Sequence, residues 1–221
     1  MTGIVDYNAG NIRSVELALL SLNVEYRISR NPADLAGADR LIFPGVGEAK
    51  FAMEELRKSG FDSFLRDWAA SGKPLLGVCL GSQIIFDHSE ESDTRCLGII
   101  PGVVRRFPAD FQSRGLKVPH MGWNDITVRN GGSRLFDGVP AHADVYFVHS
   151  YYIDPTDPTV VTATADYGFP VPCAVKRGNV EAVQFHPEKS GTNGLRMLAN
   201  FTGAGASLLA AGANRAGGSS C

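Results

Sequence analysis

The segment Gly77-Val78-Cys79-Leu80-Gly81 sets a cysteine midway between two glycines, where the apolar run at residues 74–78 gives way to a helical pattern. An ionised cysteine sulfur is a strong nucleophile, and a strand-turn-helix elbow holds such a side chain above its sheet. Glycines two residues to either side let neighbouring backbone approach the turn closely. The elbow would aim the Leu80 N–H at an oxyanion and set the sulfur at a helix N-terminus, whose dipole favours the thiolate. The same residues fit a buried core thiol, because free cysteine is among the most buried residue types. The segment alone leaves both readings open.

A thiol nucleophile needs a base, and an oxyanion needs a second donor. Five histidines are available: His88, His120, His142, His149 and His186. His186 has the most informative setting, "QFHPEKS". Pro187 pushes it toward an extended conformation, and residues two apart in an extended chain share a side, so Glu188 is expected beside its ring. Base and orienter would then come from one tripeptide at the end of the strand-like run "VEAVQF". Carboxyl ends of strands are where sites gather in open α/β sheets. A surface turn is the competing reading. For the second donor, "LIFPGVGEAK" carries Gly45 and Gly47 after an apolar strand, and both permit unusual φ/ψ, so an N–H near Val46 or Gly47 could turn into the site. An ordinary glycine turn fits as well.

These residues need a sheet that brings them to one edge. The 221-residue chain has the apolar and charged fractions of a globular protein and a net charge of −2, which disfavours nucleic-acid or membrane binding through bulk charge. No apolar stretch approaches a membrane span, and the N-terminus has no signal-peptide pattern. Cys79, Cys96, Cys173 and Cys221 lack zinc-finger or disulfide-framework spacing, so a reduced cytoplasmic protein without a metal is expected. In the first third, strand-like runs ("GIVDY", "VEYRI", "RLIF", "PLLGV") alternate with helical patterns. One helical pattern carries Ile12, Val15, Leu19 and Leu22, and another carries Phe61, Phe64, Leu65 and Trp68. After about residue 100 come short runs between turn signals: "GVVRRF", "NDITVRN", "DVYFVHSYYI", "TVVTATADY", "CAVKRG" and "VEAVQF". The expectation is one α/β domain over residues 1–203. It would be a mixed, mostly parallel open sheet flanked by helices, with added antiparallel strands. A helix is expected from near Thr192, and an Ala/Gly-rich extension over residues 204–221 should fray at its end.

"PGVG", "GVCLGSQ" and "QFHPEKS", in that order, resemble the class I (triad-type) glutamine amidotransferases, and the resemblance covers nearly the whole chain. "VDYNAGN", "VPHMGWN" and "YFVHSYY" resemble, within that class, the glutaminase subunits of imidazole glycerol phosphate synthases. The resemblance implies that Cys79 attacks the side-chain amide of L-glutamine, with His186 as base and Glu188 as its orienter. It implies an oxyanion hole from Leu80, Val46 and Gly47, substrate contacts from Gly47, Gln83, Ser150 and Tyr151, and no cofactor. It further implies a (βα)₈ cyclase partner that takes the ammonia to make imidazole glycerol phosphate and aminoimidazole carboxamide ribotide in histidine synthesis. Asn11, Met121, Trp123 and Lys189 match positions near that partner. Ser82 departs from the family's usual methionine. Alternatives are a glutaminase of the anthranilate or aminodeoxychorismate type, a cysteine hydrolase of another amide or ester, and a regulatory subunit with a dead site.

Overall fold

A computed structural model of the chain describes residues 1–8, 11–129 and 133–204. Apart from Ala204, the expected extension lies outside the described residues. In chain order the protein forms β1 (Thr2–Val5), α1 (Ile12–Ser21), β2 (Tyr26–Ser29), β3 (Arg40–Gly45), α2 (Ala49–Ser59), α3 (Phe61–Ala70), β4 (Leu75–Cys79) and α4 (Leu80–Ile84). There follow β5 (His88–Ser89), β6 (Thr94–Arg95), β7 (Gly102–Arg106), β8 (His120–Val128), β9 (His142–His149) and β10 (Tyr151–Pro155). The chain continues through β11 (Val161–Asp166), β12 (Pro170–Arg177) and β13 (Val180–Val183) into α5 (Gly191–Thr202).

Nine strands make one sheet in the order β2-β1-β3-β4-β13-β12-β11-β8-β9. Pairings from β2 to β13 are parallel, and those from β13 to β9 are antiparallel. The parallel half has helices on both faces, so its strands are apolar on both sides. Along β3, Leu41 and Phe43 pack with α2 and α3, while Ile42 points the other way, toward α1 and α5. On α1 the expected stripe holds: Val15, Leu19 and Leu22 are buried and Ile12 packs beside them. On α3, Phe61, Leu65 and Trp68 are buried and Phe64 packs against the same core. Each such large side chain removed from water contributes roughly 1.5–3 kcal/mol before entropy is counted.

Two runs depart from the expectation that all late strands join the main sheet. "GVVRRF" becomes β7, which pairs with β10 in a separate four-stranded sheet. "DVYFVHSYYI" is not one strand but two, broken at Ser150. β9 edges the main sheet and β10 belongs to the small one, so Ser150 and Tyr151 lie where the chain changes sheets. No hydrophobicity pattern marks that break, because both halves are apolar on alternate residues.

Candidate active site

The three motifs meet because β3, β4 and β13 are neighbours. Gly45 at the end of β3 pairs with Cys79 at the end of β4, and Val183 at the end of β13 pairs with Val78. Cys79 has φ 54° and ψ −112°, a conformation that L-residues rarely adopt and that costs on the order of 1–3 kcal/mol. The surroundings enforce it. A Cβ on Gly81 would collide with the Phe43 carbonyl, and one on Gly77 would lie 2.9 Å from the Gly81 oxygen. The glycines of the elbow therefore serve close approach. Ser82 donates its hydroxyl to the Cys79 carbonyl at 2.6 Å, so the departure from methionine adds a bond across the elbow. α4 has only five residues, so the dipole behind the sulfur is that of little more than one turn.

His186 and Glu188 meet as expected but by another route. His186 is extended, at φ −99° and ψ 94°, whereas Pro187–Lys189 is a 3-10 turn. The turn, not a shared side of an extended chain, brings Glu188 Oε1 to 2.8 Å from His186 Nδ1. Both side chains are 2% exposed. The His186 backbone is fixed by its N–H to the Tyr146 carbonyl at 2.9 Å and by the Ser190 hydroxyl on its carbonyl at 2.6 Å. Nε2 is buried and makes no hydrogen bond among the described residues. Burial pulls the ring's pKa down, but the Cys79 sulfur and the Glu188 carboxylate outweigh it and raise the pKa to about 10. The ring therefore holds a proton at neutral pH.

A cavity of about 310 Å³ opens on this pair, lined by Val46, Gly47, Leu80 and Gln83 and by Val148, Ser150 and Tyr151. It thus gathers every residue proposed for oxyanion or substrate contact. Gly47 has φ 95°, as its expected freedom requires, but Gly45 is not in the left-handed region. Gly45 is needed for space: a Cβ there would strike the Tyr7 hydroxyl and lie 3.0 Å from Gly81 N. Gln83 Nε2 donates to the Tyr151 carbonyl at 3.1 Å and to Gln184 Oε1 at 2.9 Å, so its orientation is set.

Glu91, His149 and Tyr7 have no assigned role in the sequence reading yet stand at or beside the site. Glu91 lines the cavity and accepts the Ala49 N–H at 2.8 Å, tying it to the helix that follows Gly47; burial holds its carboxyl above the usual range. His149 also lines the cavity. Tyr7 has a buried hydroxyl with no partner among the described residues, and burial and the Cys79 charge both push its pKa up. An unsatisfied buried hydroxyl costs about 1–3 kcal/mol. Tyr7→Phe is therefore expected to raise stability by about 1 kcal/mol in urea unfolding, and a loss of similar size would show that the hydroxyl is bonded.

The proposed partner residues are at the surface. Met121 and Trp123 are 62% and 59% exposed on one face of β8, and Lys189 is exposed in the turn after His186. Asn11 is half-buried at the start of α1 and makes no side-chain capping bond. Met121 pairs with Val148, a cavity residue, and Pro119 also lines the cavity, so this face borders the site.

Comparison with known proteins agrees with this geometry. Residues 3–203 match the model of the family described as glutamine amidotransferase class-I. The chain is 48% identical over 204 residues, 91% of this chain and 98% of the relative, to the imidazole glycerol phosphate synthase subunit HisH of Syntrophotalea carbinolica. It is also 48% identical to the HisH subunit of Nitratidesulfovibrio vulgaris, over 91% of this chain and 95% of that one. Among solved structures, one described as glutamine amidotransferase superposes with a TM-score of 0.71 at 23% identity, covering 91% of this chain and 98% of that one. PurLQS from Thermotoga maritima gives 0.70 at 17% identity, covering 91% and 97%. At such identities the two structures speak for the fold alone.

Proposed function

This chain belongs to the class-I glutamine amidotransferase family, and from that premise we propose that it is the glutaminase subunit of an imidazole glycerol phosphate synthase. The observation that carries the chemistry is one cavity in which the strained Cys79 faces His186, itself 2.8 Å from Glu188. Cys79 Sγ bonds to the side-chain carbonyl carbon of glutamine, and the carbonyl electrons move to oxygen. The N–H groups of Leu80 and of the Val46 and Gly47 segment hold that oxyanion. His186, protonated beside the thiolate, gives its proton to the departing nitrogen. The C–N bond breaks, and ammonia leaves a γ-glutamyl thioester. Water, losing a proton to His186, then adds to the thioester carbon; the C–S bond breaks and glutamate is released. Glu188 keeps the imidazole oriented throughout. Gln83, Ser150 and Tyr151 position the substrate, and the Glu91 carboxylate complements its α-ammonium group.

Ammonia released into neutral water is mostly protonated and no longer a nucleophile. The HisH relatives are, by name, subunits of a larger synthase. The partner is a (βα)₈ cyclase that receives ammonia directly and forms imidazole glycerol phosphate and aminoimidazole carboxamide ribotide for histidine synthesis. It docks over Asn11, Met121, Trp123 and Lys189, of which Met121 pairs with the cavity residue Val148. Val46 is 38% exposed at that mouth, placed to feel docking. Work in the cytoplasm fits the free thiols of Cys79, Cys96 and Cys173. No described helix is long and apolar enough to cross a membrane.

The test is a coupled assay with a purified cyclase subunit, supplied first with glutamine and then with ammonium. The free chain is expected to hydrolyse glutamine slowly, and cyclase with its nucleotide ligand should raise that rate more than about tenfold. Equal rates with and without the partner would remove the gating role given to Val46 and Gly47. Absence of glutamine-dependent product in a complex that uses ammonium would remove the function itself.

A further inference from the structure

His120 and His149 face each other across the β8–β9 ladder, and their bonding has only one consistent direction. His149 Nδ1 lies 2.7 Å from the Tyr151 carbonyl, which can only accept, so Nδ1 carries the hydrogen. His149 Nε2 must then accept, and its neighbour at 3.0 Å is His120 Nδ1, which therefore donates. His120 Nε2 is left to accept from Asn124 Nδ2 at 3.3 Å. Asn124 cannot turn over, because its Oδ1 accepts the Asp125 N–H at 2.9 Å and its Nδ2 also donates to the Asp166 carbonyl at 3.0 Å. Both rings are neutral in the Nδ1–H form. His120 is stacked between Tyr167, with centroids 3.9 Å apart, and Phe147, at 4.6 Å.

The chain ends on a carbonyl that matters to the cavity. Tyr151 O accepts from His149 and from Gln83 Nε2, and all three residues line the space proposed for glutamine. It begins on β8, whose opposite face carries the exposed Met121 and Trp123. We propose that Asn124, His120 and His149 form a directed positioning relay that fixes the Ser150 and Tyr151 wall of the glutamine pocket and ties it to the strand on which the partner docks. The inference rests on the glutaminase reading above for its substrate. None of the three residues touches the reacting atoms. His120 and Asn124 act through His149, and His149 acts through a backbone carbonyl.

Two substitutions at His120 separate positioning from packing. Asparagine offers an Nδ2–H where histidine offers Nδ1–H, so His120→Asn keeps the donor to His149 and loses the stack. His120→Phe keeps the stack and loses the donor. In the complex with the cyclase, His120→Asn is expected to hold KM for glutamine within about twofold while its Tm falls, and His120→Phe to raise KM about fivefold to tenfold with a smaller change in kcat and a Tm nearer wild type. A role in packing alone predicts the reverse order in KM, and that order, or wild-type KM in both variants, overturns the relay. Nitrogen NMR of the wild-type chain supplies a readout independent of glutamine. Nδ1–H on both rings supports the relay, and Nε2–H on either overturns it. If the wild-type complex uses ammonium but not glutamine, the glutaminase reading fails, and the substrate role of the relay fails with it.

Discussion

Cys79→Ala is expected to lower glutamine-dependent synthesis by the assembled complex at least about a thousandfold and to leave ammonium-dependent synthesis at the wild-type rate. The size of the loss follows from the chemistry. Among the described residues no other thiol lines the cavity, and His186 without a sulfur beside it has no nucleophile to serve. The specificity follows from the structure. Cys79 is 7% exposed, so alanine removes one sulfur atom from a cavity wall and leaves the sheet intact. The strain at φ 54° stays, because alanine also has a Cβ. Cys79→Gly makes the matching control. It should be just as inactive, yet more stable by about 1–3 kcal/mol, because glycine adopts that conformation freely. Glutamine turnover that survives in Cys79→Ala would move the nucleophile elsewhere. Loss of ammonium-dependent synthesis from a folded, assembled complex would break the division of labour between the subunits. A glycine variant no more stable than wild type would mean that the elbow is held by contacts rather than under strain.

What could be read from the residues alone follows a physical boundary. The elbow was legible because its glycines stand in local register with Cys79 and meet backbone from the adjoining strand and helix, so the spacing itself records the crowding. The His186 and Glu188 pair was legible because both sit in one tripeptide, although the 3-10 turn that joins them was not. The reason for Gly45 was misread: its neighbour is Tyr7, 38 residues away in sequence, and nothing local announces a hydroxyl above the strand. Glu91 was missed for the same reason. It reaches the cavity by bonding the Ala49 N–H from a short turn with no periodicity of its own. The His120 and His149 chain depends on strand register, and a slip of one residue would separate the rings. Ser150 and Tyr151 were recognised by motif, but their position at a change of sheet could come only from the three-dimensional pairing.

The same buried histidines give the protein an acid limit at mild pH. Burial lowers the pKa of His120 to about 4 and that of His149 to about 3; on His149 the bond to the Tyr151 carbonyl works against burial, and His120 and then His186 add smaller downward pushes. In the unfolded chain both take the ordinary value of 6.5. Below that value the unfolded state binds more protons than the native state, so stability must fall as pH falls. The contribution is complete above pH 6.5 and is lost between there and about pH 3–4. Each group gives a slope of about 1.4 kcal/mol per pH unit, and repulsion between the two rings only holds off the second native proton longer, so together they are expected to cost on the order of 6 kcal/mol by pH 4. Two other sets of groups fall outside this window. His186, raised to about 10, contributes stability that is complete below 6.5 and is lost only as pH rises toward 10, so it adds an alkaline limit and no slope in acid. Glu16, Glu55, Asp39 and Asp157 have pKa values lowered by hydrogen bonds to Arg13, Lys58, the N-terminal ammonium and Thr159 respectively, so their acid losses begin below the ordinary carboxylate values. Glu91, whose carboxyl burial holds above the usual range, works the other way as pH falls, so urea midpoints from about pH 7 to about pH 5 assign the slope to the histidine pair through the difference between wild type and a double variant. The wild-type midpoint should decline across that range, and the decline should flatten when His120 and His149 are both replaced by asparagine. A flat wild-type profile would mean that the rings are charged or open to water in the native state, and the tautomers assigned to them would fall with it.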